Sequence, residues 1–306
     1  MNVQNHTIDT YLRDLRSALK GADRAVVQDA LADAEEHLRT AVERGRGGAG
    51  DPADGQVLAG IIRDYGTPGE VAEAYRNWEP TRPPMLTPLP VDPDERSEPR
   101  SRGFRGFFGV YADPRAWGGL VYMLISLITG TLYFSWAVTA VSTSLGVMIL
   151  IIGIPVTILL LLSTRGMTFL EGRLVEALLG ERMPRRPVFT DNSLGWTERL
   201  KQVLLGKSTW LGLLYMVLML PLGVIYFSVT VTLISLSLAF FVTPVLTVLF
   251  DLPIMVLNGD PAFYLPDYLS PLVCIAGVLL GTLTLHLARW TGKVHGKLAK
   301  ALLVSD

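Results

Sequence analysis

The stretch WGGLVYMLISLITGTLYFSWAVTAVSTSL, residues 117–145, carries no Asp, Glu, Lys, Arg or His, and the charge-free run continues to residue 163. A hydrocarbon core of about 30 Å needs roughly 20 apolar helical residues, so this run is long enough for two crossings. The same text recurs at residues 210–238 as WLGLLYMVLMLPLGVIYFSVTVTLISLSL. Aligned without gaps, Trp117 falls on Trp210, Gly119 on Gly212, Tyr122-Met123 on Tyr215-Met216 and Gly130 on Gly223. Tyr133-Phe134-Ser135 falls on Tyr226-Phe227-Ser228. About half of the positions are identical. Shared hydrophobicity alone does not align glycines and aromatics.

The two halves also end alike. Arg165 is followed by Gly172-Arg173-Leu174 and Ala177-Leu178-Leu179. Arg289 is followed at the same spacing by Gly296-Lys297-Leu298 and Ala301-Leu302-Leu303. Each half reads as span, turn, span and an amphipathic helix along the cytoplasmic face. The expected fold is all-α: a small cytosolic helical domain plus a polytopic membrane domain of four spans, built as a tandem two-span repeat. Spans are expected near 117–139, 144–164, 210–232 and 270–288. Pairs of spans keep direction, which predicts a parallel repeat rather than an inverted one.

Charge sets the expected orientation. Arg165, Arg173, Arg182, Arg185, Arg186, Arg199, Lys201 and Lys207 separate the second span from the third, and Arg289, Lys293, Lys297 and Lys300 follow the last. Residues 233–269 hold no Lys or Arg. The positive-inside rule then puts both termini in the cytoplasm of a multi-pass plasma-membrane protein. Residues 233–250 are apolar enough for a fifth span, but that would put the basic C-terminus outside. A long third helix or a re-entrant hairpin bent at Pro244 fits the charges. The outward loop 251–269 offers Asp251, Asp260, Tyr264 and Asp267 as candidates for a ligand site.

Residues 1–78 read as a helical domain. Leu12, Leu15 and Leu19 share a helix face after Asp9 or Thr10 as cap. Asp23 can cap a second helix through Leu31 and Leu38, ended by the Gly-rich segment 45–50. Val57, Ile61, Ile62 and Tyr65 mark a third. Gly66 ends it, and Thr67, Pro68 and Glu70 form the capping box of a fourth. No signal peptide is visible, so this domain is expected in the cytosol. Glu36, His37, Tyr65, Glu70 and Tyr75 are its candidate partner-binding residues. Residues 79–109 then form a linker, Pro-rich to residue 99 and basic-aromatic from Arg100 to Phe108. The membrane domain takes 110–306.

Catalytic constellations are absent. His37 has Ala41, not a second His, one turn on. Cys274 is the one cysteine. No phosphate loop, zinc pattern or nucleophile set appears. His286 reads as an interfacial hydrogen-bonding residue, with a proton-linked switch as the alternative, and His295 as part of the basic amphipathic helix. No enzyme activity, cofactor or metal is expected. The formal net charge of -1 gives no reason to expect direct nucleic-acid binding.

The stretch PRAWGGLVYMLISLITGTLYFSWAVTAVSTSLG, the trailing RG…LEGRLVEALLG and the second copy resemble the four-span sensor domain of actinobacterial signalling proteins, over about 110–303. That domain often precedes a histidine kinase. The segments YLRDLRSAL, EEHL and YGTPGEVAEAY resemble the HAAS domain, a helical signalling module found beside PadR-like transcription regulators, over about 7–78. The resemblance implies signalling and brings no catalytic residue. The sequence as given stops at Asp306, so the expectation is a membrane sensor or adaptor without a kinase. It would relay an envelope or membrane cue through its helical domain to a cytosolic protein. The resemblance implies a PadR-like regulator for that role, with the bilayer and a second copy as further partners. The alternative is a transporter or its accessory subunit, which the absence of acidic or basic residues within the spans disfavours.

Overall fold

The computed structural model describes residues 8–46, 54–77, 104–147, 153–184, 206–250, 255–257, 260–263 and 266–304. Four helices make the N-terminal unit: α1 (Ile8–Ala18), α2 (Arg24–Arg46), α3 (Asp54–Tyr65) and α4 (Pro68–Asn77). Tyr11 and Leu15 of α1, with Leu19 just past its end, pack with Ala30, Ala34 and Leu38 of α2 and Ala72 of α4. α1 starts at Ile8, so Asp9 and Thr10 lie inside its first turn and are not its cap. Asp23 does cap α2, its Oδ1 accepting the Ala25 N–H at 2.9 Å. Gly66 ends α3 at φ 109°, a backbone region that side chains with a Cβ resist.

The capping box of α4 is complete. The Thr67 N–H and hydroxyl each donate to Glu70 Oε2 at 2.8 Å, and the Glu70 N–H donates back to Thr67 Oγ1 at 3.4 Å. The Thr67 N–H and then its hydroxyl hold the Glu70 carboxyl below the usual range. Burial, then the Glu70 charge, pushes the Tyr11 phenol up to about 12.

A short helix α5 (Phe104–Phe108) leads into the apolar region. This region holds α6 (Pro114–Val147), α7 (Gly153–Leu179), α8 (Lys207–Phe250) and α9 (Ser270–Leu303). Among the described residues, α6, α8 and α9 are long and apolar enough to cross a membrane. The strands described are an antiparallel hairpin, β1 (Met255–Leu257) with β2 (Asp260–Phe263), inside the expected outward loop.

Two expectations change, and one open choice is made. The first span does not turn near 140; α6 runs on to Val147. Of the two alternatives for residues 233–250, the structure takes the long third helix, with Pro221 and Pro244 inside it. At 1.5 Å per residue its 44 residues reach about 66 Å, twice a hydrocarbon core. The amphipathic tails are not separate surface helices either. α7 and α9 pass without a break from their apolar halves into their charged ends. The Gly-rich segment 47–50, the Pro-rich and basic segment 79–103 and Arg185, Arg186, Arg199 and Lys201 lie outside the described residues.

Direction is a third difference. A Cβ on Gly130 would lie 2.4 Å from the Met219 carbonyl oxygen, and one on Gly223 would lie 2.3 Å from that of Ser126. Ser126 and Met219 are themselves equivalent under the repeat, so the contact is reciprocal. Further out, Trp117 and Leu120 share a cavity with Ile234, Leu238 and Phe241, while Val141 and Leu145 share one with Trp210 and Leu213. α6 and α8 therefore run antiparallel. α6 instead runs with α9, as Ala116 meets Leu285, Gly119 meets Ala288 and Tyr122 meets His295. The parallel arrangement followed from counting every apolar run as a full crossing. The glycine contact, which brings two backbones together, does not depend on that count.

Gly130→Ala and Gly223→Ala should each lower the thermal stability of the purified chain, because backbone must move to admit the methyl group. Gly146→Ala, which meets nothing within 4 Å, should not. Equal melting of all three variants would remove the close crossing. Thr67→Ala should speed hydrogen exchange of α4 amides ~fivefold, for a cap worth about 1 kcal/mol. The Glu70 contribution is present above the ordinary carboxylate range and lost as acid protonates the folded carboxyl. The protection factors of α4 amides should therefore fall at low pH less steeply in Glu70→Gln.

Candidate functional site

The apolar helices bury a polar cluster. Glu171 of α7 and His295 of α9 are 1% and 0% exposed. Tyr122 of α6 and Tyr215 of α8 are each 1% exposed. Tyr122 donates to Glu171 Oε1 at 2.5 Å, and Tyr215 donates to the same oxygen at 2.8 Å. The two hydroxyls also lie 2.6 and 3.0 Å from His295 Nε2. Tyr226 of α8 lies 3.3 Å from His295 Nδ1. Tyr133 of α6 makes a further contact with Glu171.

Proton counting assigns the roles. Each tyrosine hydroxyl has one proton, and Glu171 takes it. The contacts with His295 Nε2 then need the ring to donate, so Nε2 carries hydrogen. That leaves Nδ1 to accept from Tyr226. Glu171 Oε2 has no hydrogen-bond partner among the described residues. The cluster thus joins all four helices through a carboxyl, an imidazole and phenols. It holds a proton network, with no nucleophile aimed at an open cavity.

Equivalence under the repeat explains its composition. Tyr122 corresponds to Tyr215 and Tyr133 to Tyr226. Glu171 directly precedes Gly172, as His295 directly precedes the matching Gly296. The cluster is one set of repeat positions seen twice, with an acid in one half and a base in the other. Sequence reasoning missed Glu171 and read His295 as part of a basic helix. The signal was present: the spacing that aligns Arg165 with Arg289 also aligns Glu171 with His295.

The candidates from sequence fall elsewhere. Asp251 and Tyr264 lie outside the described residues. Asp260 opens β2 and Asp267 a short turn before α9. In the helical unit, His37 stacks on Tyr65 with ring centroids 4.5 Å apart. Tyr75 and Tyr65 direct their hydroxyls at Asp33 Oδ2, at 3.0 and 3.5 Å. Burial, then the Asp33 charge, raises the Tyr65 phenol. Glu36 is exposed, and Glu70 serves its helix cap. His286 Nε2 lies 3.0 Å from the Phe107 carbonyl oxygen, with its ring stacked on Phe107.

The helical unit rests on the charged ends of the apolar helices. Lys300 of α9 pairs with Asp23, the cap of α2. Arg182, just past α7, places Nη2 3.5 Å from Oδ2 of the buried Asp29. Gln28 of α2 lines a small cavity of about 70 Å³ with Arg165, Thr168, Met183 and Ser208.

A family model described as Putative sensor matches residues 122–303, and one described as HAAS matches residues 10–74. No curated protein and no solved structure matches the chain. Neither matched family is an enzyme family.

Tyr215→Phe should destabilise the chain by about 1–3 kcal/mol, since it strips a buried carboxyl of a donor. Tyr226→Phe, which loses a single longer contact, should cost less. Thermal unfolding in detergent measures both, and a reversed order would contradict the geometry of the cluster.

Proposed function

The chain belongs to the Putative sensor family, whose model covers more than half of it, and from that premise we propose a membrane sensor whose helical unit passes the signal to a cytosolic protein. The observation that carries this reading is the docking of that unit on the ends of α7 and α9 through Asp29–Arg182 and Asp23–Lys300. Those same two helices hold Glu171 and His295. A cue that rearranges the buried cluster therefore shifts the anchors of the unit. The HAAS match to residues 10–74 supports a protein-binding output.

In this reading residues 1–78 are the output domain, 79–109 the linker and 110–306 the sensing domain. The sensing domain places its long apolar helices, α6, α8 and α9 among the described residues, in the plasma membrane. The helical unit and the C-terminus share the cytoplasmic side, as the basic residues around them favour. The exposed face with Glu36 and His37 is the surface left for a partner, of which a PadR-like regulator is the leading type.

The test is in-cell cross-linking of the tagged full chain, mild-detergent purification and mass spectrometry. A DNA-binding regulator should be recovered, and it should be lost on deletion of residues 1–78. Asp29→Arg should change its recovery, and Asp29→Arg combined with Arg182→Asp should restore it. Transport subunits in its place, unaffected by the deletion, would replace this reading with the transport one.

A further inference from the structure

Because of the repeat, the apolar helices form a pair of equivalent grooves, and these are not equally finished. One, of about 400 Å³, is lined by Trp117 and Leu120 of α6, Ile234, Ser237 and Leu238 of α8, and Gly281 and Leu285 of α9. The other, of about 170 Å³, is lined by their counterparts: Trp210, Leu213, Val141, Ser144, Leu145, Thr157 and Leu161. In the first groove, Ser237 donates to the Gly277 carbonyl oxygen at 2.8 Å. Gly153 stands at the counterpart of Gly277, but Ser144 Oγ makes no such bond and has no partner among the described residues. Where the first groove has Gly281, the second has Thr157. Thr157 is 4% exposed, and its Oγ1 also has no partner among the described residues.

Two orphan hydroxyls in an otherwise apolar cavity are costly inside a membrane protein. The equivalent groove shows that this architecture can avoid that cost. Leu145 and Trp210, which line the smaller cavity, are 67% and 58% exposed. We propose that this cavity is a binding site for a small neutral molecule with an apolar body and one hydroxyl or carbonyl group. Thr157 and Ser144 hold that group, and Val141, Leu161 and Leu213 enclose the body. A space of about 170 Å³ is close to that of dry protein cavities that take benzene-sized guests.

The position suits a sensor. Thr209 also lines this cavity, and the neighbouring Ser208 lines the small cavity that receives Gln28 of the docked unit. Arg165 donates to Thr209 Oγ1 at 3.2 Å, closing the wall between them. As the sensed ligand, the molecule rests on the sensor reading above; as a binding site, the cavity stands without it.

The probe is octanol carrying a diazirine, irradiated with the full chain in phosphatidylcholine nanodiscs. Adducts should concentrate on Leu145, Leu161 and Leu213. Octanol should compete and octane should not. Thr157→Val should lower labelling ~fivefold, as one lost hydrogen bond implies, while Thr157→Ser keeps it and Ser237→Ala in the other groove leaves it unchanged. Equal competition by octane, unchanged labelling in Thr157→Val, or no saturable labelling would each overturn the site. Labelling is read without the cytosolic partner, so its failure leaves the docking result standing, and loss of docking leaves the labelling result standing.

Discussion

A carboxyl group buried among apolar helices has to find its donors inside the protein, and the packing around Glu171 is arranged to supply them. Leaving such a group unpaired costs several kcal/mol or more, depending on its charge. Its donors are Tyr122 and Tyr215, which come from two different helices. Both hydroxyls reach one oxygen because α6 and α8 touch backbone to backbone at Gly130 and Gly223. His295 enters from the fourth helix, with Nε2 2.6 and 3.0 Å from those same hydroxyls. The polar cluster and the glycine crossing therefore require each other. Move the crossing apart by one methyl group and the tyrosines no longer converge.

The near two-fold relation between the halves adds a second constraint. Residues on such an axis meet their own counterparts. Two glutamates there would set like charges side by side and force one to stay protonated. Two histidines would leave the tyrosines competing for acceptors. An acid facing an imidazole satisfies all four tyrosines at once. The position nearest the axis is thus where two copies gain most by diverging, while the tyrosines around it gain by staying alike. Thr157 against Gly281 shows the same divergence at the grooves.

This explains which features could be read from sequence. The helical unit was legible because its signals are local: Asp23 and Thr67 cap helices in the structure as the spacing implied. The sequence similarity of the two halves was visible in identities such as Tyr122 with Tyr215. Glu171 and His295 were hidden for the complementary reason: matching by identity passes over the one pair that differs. The direction of α8 was hidden because apolar length indicates that a segment can cross and says nothing about which way it packs. The length of α8 stayed open between a long helix and a hairpin because Pro244 ends most soluble helices. Within apolar packing a proline need not end a helix, since neighbours re-satisfy the freed carbonyls.

The contrast between the two kinds of contact bears on how a signal would leave the bundle. The buried cluster is shared by four helices, so any change in it is felt on all of them. The docking contacts are half-buried ion pairs: the side chains of Asp23 and Arg182 are 36% and 25% exposed, those of Lys300 and Asp29 17% and 9%. On α9, unbroken helix joins the cluster to its docking residue. His295 and Lys300 are five residues apart on α9, about 7.5 Å of rigid rise. α7 continues without a turn from Glu171 to Leu179, three residues short of Arg182. On the sensor reading proposed above, a rotation at the cluster would reach the Asp23–Lys300 contact along α9 with no turn between them to absorb it.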